Sequence, residues 1–147
     1  MAAEGRFLPC IAPRCLGATP LLSEQNALAT VAWLNEAMCY IKMAQSEEAT
    51  GRNYKGTPTH SATSPALWRK AIESCDKALL YDKDSVKGLY RKGLACLRLH
   101  EFEHARELLG RAASLEPANR EVRHALAACR QGKADATAAD AKWFQKV

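Results

Sequence analysis

Two basic residues, Lys87 and Arg91, lie four positions apart in the stretch KGLYRKGLACLRLHEFEHA, which spans residues 87–105. Residues at i and i+4 share one face of a helix, where two cations repel each other unless something acidic contacts them. A lysine supplies a point charge, and an arginine supplies a planar fork that matches a carboxylate. The pair therefore indicates a surface for an acidic ligand, although a solvated helix face explains the same residues.

A third candidate is Asn35, a polar residue in the otherwise apolar stretch WLNEAMC. Its amide can donate a hydrogen bond to a carboxylate without adding another charge. The alternative is a structural hydrogen bond to a neighbouring helix, because a polar side chain among apolar residues needs a partner. We interpret Arg98, His100 and His104 as ordinary surface residues.

Catalytic patterns are not evident in the sequence. We find no Ser/His/Asp or Cys/His arrangement, no paired-carboxylate site and no Gly-rich phosphate loop, so we expect a protein that is not an enzyme and needs no cofactor. The six cysteines form no CxxC pair and no zinc-like spacing with histidine, so we expect no metal site. Four of them fall in apolar helical patterns and are predicted to be small buried residues in a reducing compartment, with disulfides as the alternative.

The composition bounds the class of partner. With 147 residues, 48% of them hydrophobic and 25% charged, the chain can form one domain with a core. Its net charge of +5 suits an acidic peptide, but the dense basic and aromatic clusters typical of nucleic-acid binding are missing. No apolar run approaches the roughly 18 residues of a membrane span. We therefore expect a cytoplasmic protein with a protein partner, and neither nucleic acid nor membrane.

Apolar residues recur at helical spacing along most of the chain. This pattern predicts helices at about 24–45, 65–81, 85–99, 102–115 and from about 119, with Gly132 stopping the last one. Two of the turns are very short, which is typical of antiparallel helix hairpins. The predicted fold class is therefore all-α.

The remaining segments set the predicted domain boundaries. Residues 1–22 are expected to be a disordered leader, with an organellar targeting segment or a mispredicted first exon as alternatives. The helical domain is predicted to span 23–131. It contains an inserted loop at 44–67, rich in Gly, Thr and Ser, which we expect to be disordered and dispensable, with a functional loop or an artefact of gene prediction as alternatives. Residues 132–147 are predicted to form a small-residue spacer, which can continue helical, and a short terminal helix.

Residues 86–119 match the 34-residue signature of the tetratricopeptide (TPR) repeat. The matching residues are Leu89, Gly93, Ala105, Leu109 and Pro117, whereas Lys92 and Cys96 match poorly. Small residues at the Gly93 and Ala105 positions let the two helices of a repeat approach closely. The sequence thus predicts a TPR helical-hairpin solenoid of about 2.5 repeats and five to six helices, with the last helix as a polar-faced cap.

The stretches LNEAMCYIKM and AIESCDKALLYDKDSVKGLYRKGLACLRLHEFEHARELL resemble the C-terminal TPR domain of the large FKBP-type immunophilin co-chaperones, over about residues 24–131 without the loop. The resemblance implies a groove that holds the C-terminal tail of a cytosolic heat-shock chaperone, ending Glu-Glu-Val-Asp. In that family a "carboxylate clamp" of two Asn, two Lys and one Arg binds the tail. Asn35 matches the clamp Asn of the second repeat, and Lys87 and Arg91 match the Lys and Arg of the third.

The chain also departs from the family pattern. The other two clamp positions belong to a first repeat, and we expect no counterpart of that repeat before Ser23, nor an isomerase domain. The implied clamp is therefore partial and its affinity reduced. Two alternatives stay open: a generic TPR adaptor or scaffold that binds no chaperone tail, and a truncated gene-model fragment that self-associates through the face left by the missing repeat.

Overall fold

A computed structural model describes the backbone of residues 20–51 and 63–144, and the side chains of 23–51 and 65–138. Most of the predicted leader, residues 1–19, lies outside the described residues, as do 52–62 and 145–147. The last three leader residues, 20–22, are helical, so the predicted start of the first helix at about 24 is too late. None of the described helices combines the length and the hydrophobicity needed to cross a membrane.

The described chain consists of five α-helices in sequential contact. They are α1 (Pro20–Thr50), α2 (Thr63–Tyr81), α3 (Val86–Arg98), α4 (Phe102–Leu115) and α5 (Arg120–Phe144). Helices α1 and α2 form a first hairpin, α3 and α4 form a second, and α5 packs against α4 and α3. The prediction of an all-α arrangement of helix hairpins is confirmed, and the described ranges contain no strand.

Helix α1 extends beyond its predicted end, so residues 44–50 are helical although we assigned them to the inserted loop. The cause lies in α2, where the Trp68 side chain is 1% exposed and packs in a cluster with Ile41 and Ala44. A buried indole needs apolar contacts for its ring and an acceptor for its N–H. The end of α1 supplies both, because Ala44 packs in the cluster and Glu48 Oε1 accepts from Trp68 Nε1 at 2.7 Å, even though the local sequence is polar.

Gly51 ends α1 in the left-handed conformation, with φ of +63°. Its N–H donates to the carbonyl of Glu47 at 2.8 Å, which is the usual hydrogen bond of a glycine that closes a helix. Helix α2 begins at Thr63, two residues before the predicted start, so the connection between the two helices is shorter than the predicted 44–67.

The second hairpin is closed by small residues and a tight turn. A Cβ atom on Gly93 would lie 2.8 Å from Leu109 Cγ, so α3 and α4 approach as closely as the repeat pattern predicts. His100, with φ of +63°, occupies the left-handed position of the turn. The Glu101 N–H donates to the Cys96 carbonyl at 2.9 Å, which closes the end of α3.

The predicted stop at Gly132 is wrong, because α5 continues through it to Phe144. Gly132 faces the ring of Phe102, and a Cβ atom there would lie 2.6 Å from Phe102 Cε1. The glycine thus provides close packing rather than a helix end, and the alanine-rich residues after it favour continued helix. The predicted spacer and terminal helix, as far as Phe144, are one continuous part of α5.

The outer face of α1 carries apolar side chains that no other described helix covers. Leu28 is 71% exposed and Val31 is 55% exposed, and Cys39 is exposed two turns further on. A patch of this kind is the feature on which the self-association alternative depends.

Candidate functional site

A groove of about 1290 Å³ runs between α1, α3 and α5. Its charged lining comprises four cations and three anions, namely Lys42, Arg91, Arg98, Arg120, Glu48, Glu121 and Asp135. Between the charges lie apolar side chains that include Met38, Ile41, Leu94, Leu97 and Ala125. A concave surface with an apolar floor and a few charged groups suits an extended peptide.

Of the three predicted site residues, Asn35, Lys87 and Arg91, only Arg91 lines this groove. Its side chain is partly buried. Its Nη1 donates to the backbone carbonyl of Leu34 on α1 at 2.7 Å. This hydrogen bond ties α3 to α1 and holds the guanidinium beside the residue that precedes Asn35. Because a guanidinium carries five N–H donors, the bond leaves further donors to contact a carboxylate.

Asn35 and Lys87 are both exposed and are not among the residues that line the groove. Lys87 lies one turn before Arg91 on the same helix face, because four residues make about one turn. Asn35 directly follows Leu34, the residue whose carbonyl Arg91 binds. The fold therefore brings Arg91 to the α1 segment that carries Asn35, with Lys87 one turn further out. A role for the three in binding stays a prediction.

Lys92 differs from Arg91 although it is the next residue. Its ammonium lies 2.5 Å from the Asp76 carboxylate on α2, so it faces the junction between the two hairpins. One residue along a helix rotates the side chain by about 100°, which separates the two cations. Only Arg91 of this adjacent pair points towards the groove.

Arg98 also lines the groove, although its position in the sequence led us to interpret it as an ordinary surface residue. It follows Arg91 by seven residues, or about two turns, so Lys87, Arg91 and Arg98 form one basic stripe along α3. Extending the i, i+4 pattern of the first two residues by two turns would have identified the third. Its Nη1 lies 3.5 Å from Glu48 Oε2 on α1.

The four cysteines that the structure describes contribute no reactive group to the groove. Cys75, Cys96 and Cys129 are buried, as predicted, but Cys39 is exposed because it lies on the outer face of α1. Burial raises the pKa of the Cys75 thiol from 9.0 to about 12, against the opposing charge of Arg91, and raises the pKa of Cys96 to about 11. The four described cysteines are free thiols, and no described His, Cys, Asp and Glu side chains cluster in a way that would hold a metal ion.

Comparisons with known proteins support the resemblance that the motifs indicate. The chain is 31% identical to mouse peptidyl-prolyl cis-trans isomerase FKBP4 over 110 residues, which is 75% of this chain and 19% of that protein. The human protein of the same name is 33% identical over 106 residues, or 72% of this chain and 18% of that protein. Mouse inactive peptidyl-prolyl cis-trans isomerase FKBP6 is 43% identical over 56 residues, or 38% and 17%.

The chain thus spans about a fifth of the length of the curated relatives that it matches. No protein-family model matches it. The similarity over about three quarters of the chain agrees with a relationship to the FKBP-type immunophilins.

Proposed function

We propose that this chain is a TPR protein-interaction module of co-chaperone type, and not an enzyme, that binds the acidic C-terminal tail of a heat-shock chaperone in the groove between α1, α3 and α5. The observation that carries the proposal is the contact of Arg91 with the Leu34 carbonyl, which presets a cation in the groove next to Asn35. The similarity to FKBP4 supports a role related to co-chaperones. A partner of this class would place the chain in the cytoplasm.

In the proposed complex, the terminal carboxylate and the side chain of the last Asp lie at the mouth of the groove. Arg91 keeps its position when the peptide binds, because its guanidinium is already hydrogen-bonded to α1. Little side-chain conformational entropy is therefore lost on binding. Lys87 adds a second positive charge one turn away, and the Asn35 amide donates a neutral hydrogen bond that orients the carboxylate. Charge-assisted hydrogen bonds contribute about 1.5 to 3 kcal/mol each.

The test is a titration with an acidic peptide that ends Glu-Glu-Val-Asp, with either a free or an amidated C-terminus. The free peptide should bind, and amidation should weaken its binding roughly tenfold or more, because one charge-assisted contact is lost. Binding should also weaken as salt is added, because the groove is open to solvent.

Two variants assign the effect to the predicted residues. Lys87→Ala removes an exposed cation and should weaken the free peptide roughly tenfold, with little change in stability. Lys83→Ala is the matched control, since it removes the same charge from an exposed turn residue that does not line the groove. Arg91→Lys keeps the charge but loses the planar fork, so it should also weaken binding.

Lys92→Ala is a less clean control, because it also breaks the ion pair with Asp76. Equal binding of the free and amidated peptides, or no binding at millimolar concentration, would refute the proposal and favour the generic adaptor alternative.

A further inference from the structure

We infer that Arg98 forms a second anion subsite in the groove, which selects peptides carrying an acidic side chain about three residues before the C-terminal residue. The inference rests on the proposed function, since it assumes that a peptide's terminal carboxylate lies at Arg91. It adds a specificity determinant that neither the clamp pattern nor the similarity to known proteins provides.

The direction of the groove sets which way the peptide runs. Along α3 the lining extends from Arg91 through Leu94 to Arg98 and on to His100, whereas Lys87, on the other side of Arg91, lies outside it. A carboxylate held at Lys87 and Arg91 therefore lies at one end of the groove. The residues before it in the peptide have the rest of the groove, past Leu94, to occupy.

The spacing then fixes the position of the acidic residue. Seven residues of α-helix separate Arg91 from Arg98, which is about 10 Å along the axis. An extended peptide advances about 3.3 Å per residue, so about three residues cover that distance. In a tail that ends Glu-Glu-Val-Asp, the first Glu is the residue that reaches Arg98.

The contacts of Arg98 leave it able to bind another anion. Its side chain is 49% exposed, and its Nη1 is 3.5 Å from Glu48 Oε2, beyond the 2.7–2.9 Å of a strong charge-assisted hydrogen bond. Glu48 itself accepts a hydrogen bond from the Trp68 indole at 2.7 Å through its other oxygen. The guanidinium also lies 5.9 Å from the centroid of the Trp68 ring, which helps to orient it.

The local charge supports an acidic ligand. The lining from α1 and α3 holds three cations, Lys42, Arg91 and Arg98, and one carboxylate, Glu48, whereas α5 adds Arg120, Glu121 and Asp135. The α1–α3 side of the groove therefore carries an excess of cations for an acidic side chain to contact. The apolar Leu94 and Met38 line the groove as well and offer contacts for the valine, one of the two residues between the first Glu and the terminal Asp.

The experiment compares two free-carboxylate peptides that differ at one position, ending Glu-Glu-Val-Asp and Gln-Glu-Val-Asp. The wild-type chain should bind the first peptide roughly tenfold more tightly, because only the charged side chain pairs with Arg98. Arg98→Gln should bind the two peptides equally well. Arg130→Gln, which removes an exposed arginine of α5 outside the groove lining, is the matched control and should keep the tenfold preference.

A structural role of Arg98, as a tie between α3 and α1 through Glu48, makes a different prediction. If the ion pair only holds the helices together, Glu48→Gln should weaken the preference as Arg98→Gln does. If Arg98 is an anion subsite, Glu48→Gln should keep or increase the preference, because it removes a competing carboxylate while its amide oxygen can still accept from Trp68.

The two proposals fail in distinguishable ways. If neither peptide binds the wild-type chain, the proposed function falls and the inference falls with it. If both peptides bind with equal affinity, or if Arg98→Gln keeps the full preference, the Arg98 subsite is refuted while tail binding stands.

Discussion

The two helix hairpins of this chain share one topology but are closed by opposite means. The first hairpin packs a large side chain, Trp68, between long helices, and its contacts include cation–π and polar pairs such as Lys77 over Trp33 at 4.3 Å. The second brings short helices together over Gly93 and Ala105, with a turn of a few residues. The same hairpin topology therefore accommodates both a bulky and a small-residue interface.

The helix ends differ in the same way. Gly51 closes α1 and His100 closes α3, both with φ of +63°. A glycine adopts this conformation without a steric penalty, whereas a histidine does not. The end of α1 is thus relaxed and its hairpin packs around the bulky Trp68, whereas the second hairpin is tightly packed but strained at its turn.

The largest effect should come from Trp68→Ala. Removing this buried indole should reduce the free energy of unfolding by about 3 to 5 kcal/mol, because a cavity opens between α1 and α2. Urea unfolding followed by circular dichroism measures the loss. Leu80→Ala is the control, since Leu80 is exposed on the same helix and its truncation should cost under about 0.5 kcal/mol. If Trp68→Ala lowered the free energy of unfolding by less than about 1 kcal/mol, residues 44–50 would not pack on α2.

In the second hairpin, Gly93→Ala should reduce the free energy of unfolding by about 1 to 3 kcal/mol, because the added methyl group overlaps Leu109. Gly110→Ala on α4 is a matched control of opposite sign. Apart from the two chain neighbours and the backbone of its own helix, no heavy atom lies within 4 Å of a Cβ at that position, so the substitution should gain up to about 1 kcal/mol from helix propensity. The melting temperatures of the two variants, measured under the same conditions, test this expectation. Equal shifts from wild type would disprove close packing at Gly93.

The buried Cys75 thiol, at the junction of the hairpins, should make the chain less stable at alkaline pH. Because burial raises the pKa of Cys75 from 9.0 to about 12, the folded state holds this proton more tightly than the unfolded state does. The resulting stability is present below pH 9 and is lost as the pH rises from 9 towards 12. Between pH 8 and pH 10, the free energy of unfolding of Cys75→Ala, measured in urea, should fall by about 1 kcal/mol less than that of the wild-type chain.

The exposed Cys39 provides the comparison for that measurement. Cys39→Ala truncates a thiol on the outer face of α1 and should follow the wild-type pH dependence. If Cys75→Ala and wild type lose the same stability over the interval, burial of the Cys75 thiol does not contribute to it.

The smallest effect concerns the two helix ends. His100→Gly should raise the free energy of unfolding by roughly 0.5 kcal/mol, because relief of the left-handed strain outweighs the lost edge contact with Phe102, whose ring centroid is 5.7 Å away. The corresponding change in the first hairpin, Gly51→Ala, should instead lower it by about 1 kcal/mol. Shifts of the same sign in thermal unfolding would show that the ends of α1 and α3 are not equivalent.

Periodicity in the sequence determined the number and order of the helices and their pairing into hairpins, but not the ends of α1 and α5. Apolar residues at helical spacing predicted all five helices, and short turns such as that at His100 predicted antiparallel hairpins, because both signals depend on residues close in the chain. The same local geometry placed Lys87 and Arg91 on one face of α3, since any two residues four apart in a helix project together. These inferences needed no knowledge of the tertiary structure.

The tertiary structure alone decided the features that depend on distant residues. The polar residues 44–50 are helical because Trp68, about twenty positions later, packs against that end of α1, and Gly132 continues a helix because Phe102 fits against it. The tie from Arg91 to Leu34 and the placement of Arg98 in the groove require α1 and α3 to lie side by side. A sequence pattern records what each residue prefers locally, whereas burial and pairing depend on which helix faces it.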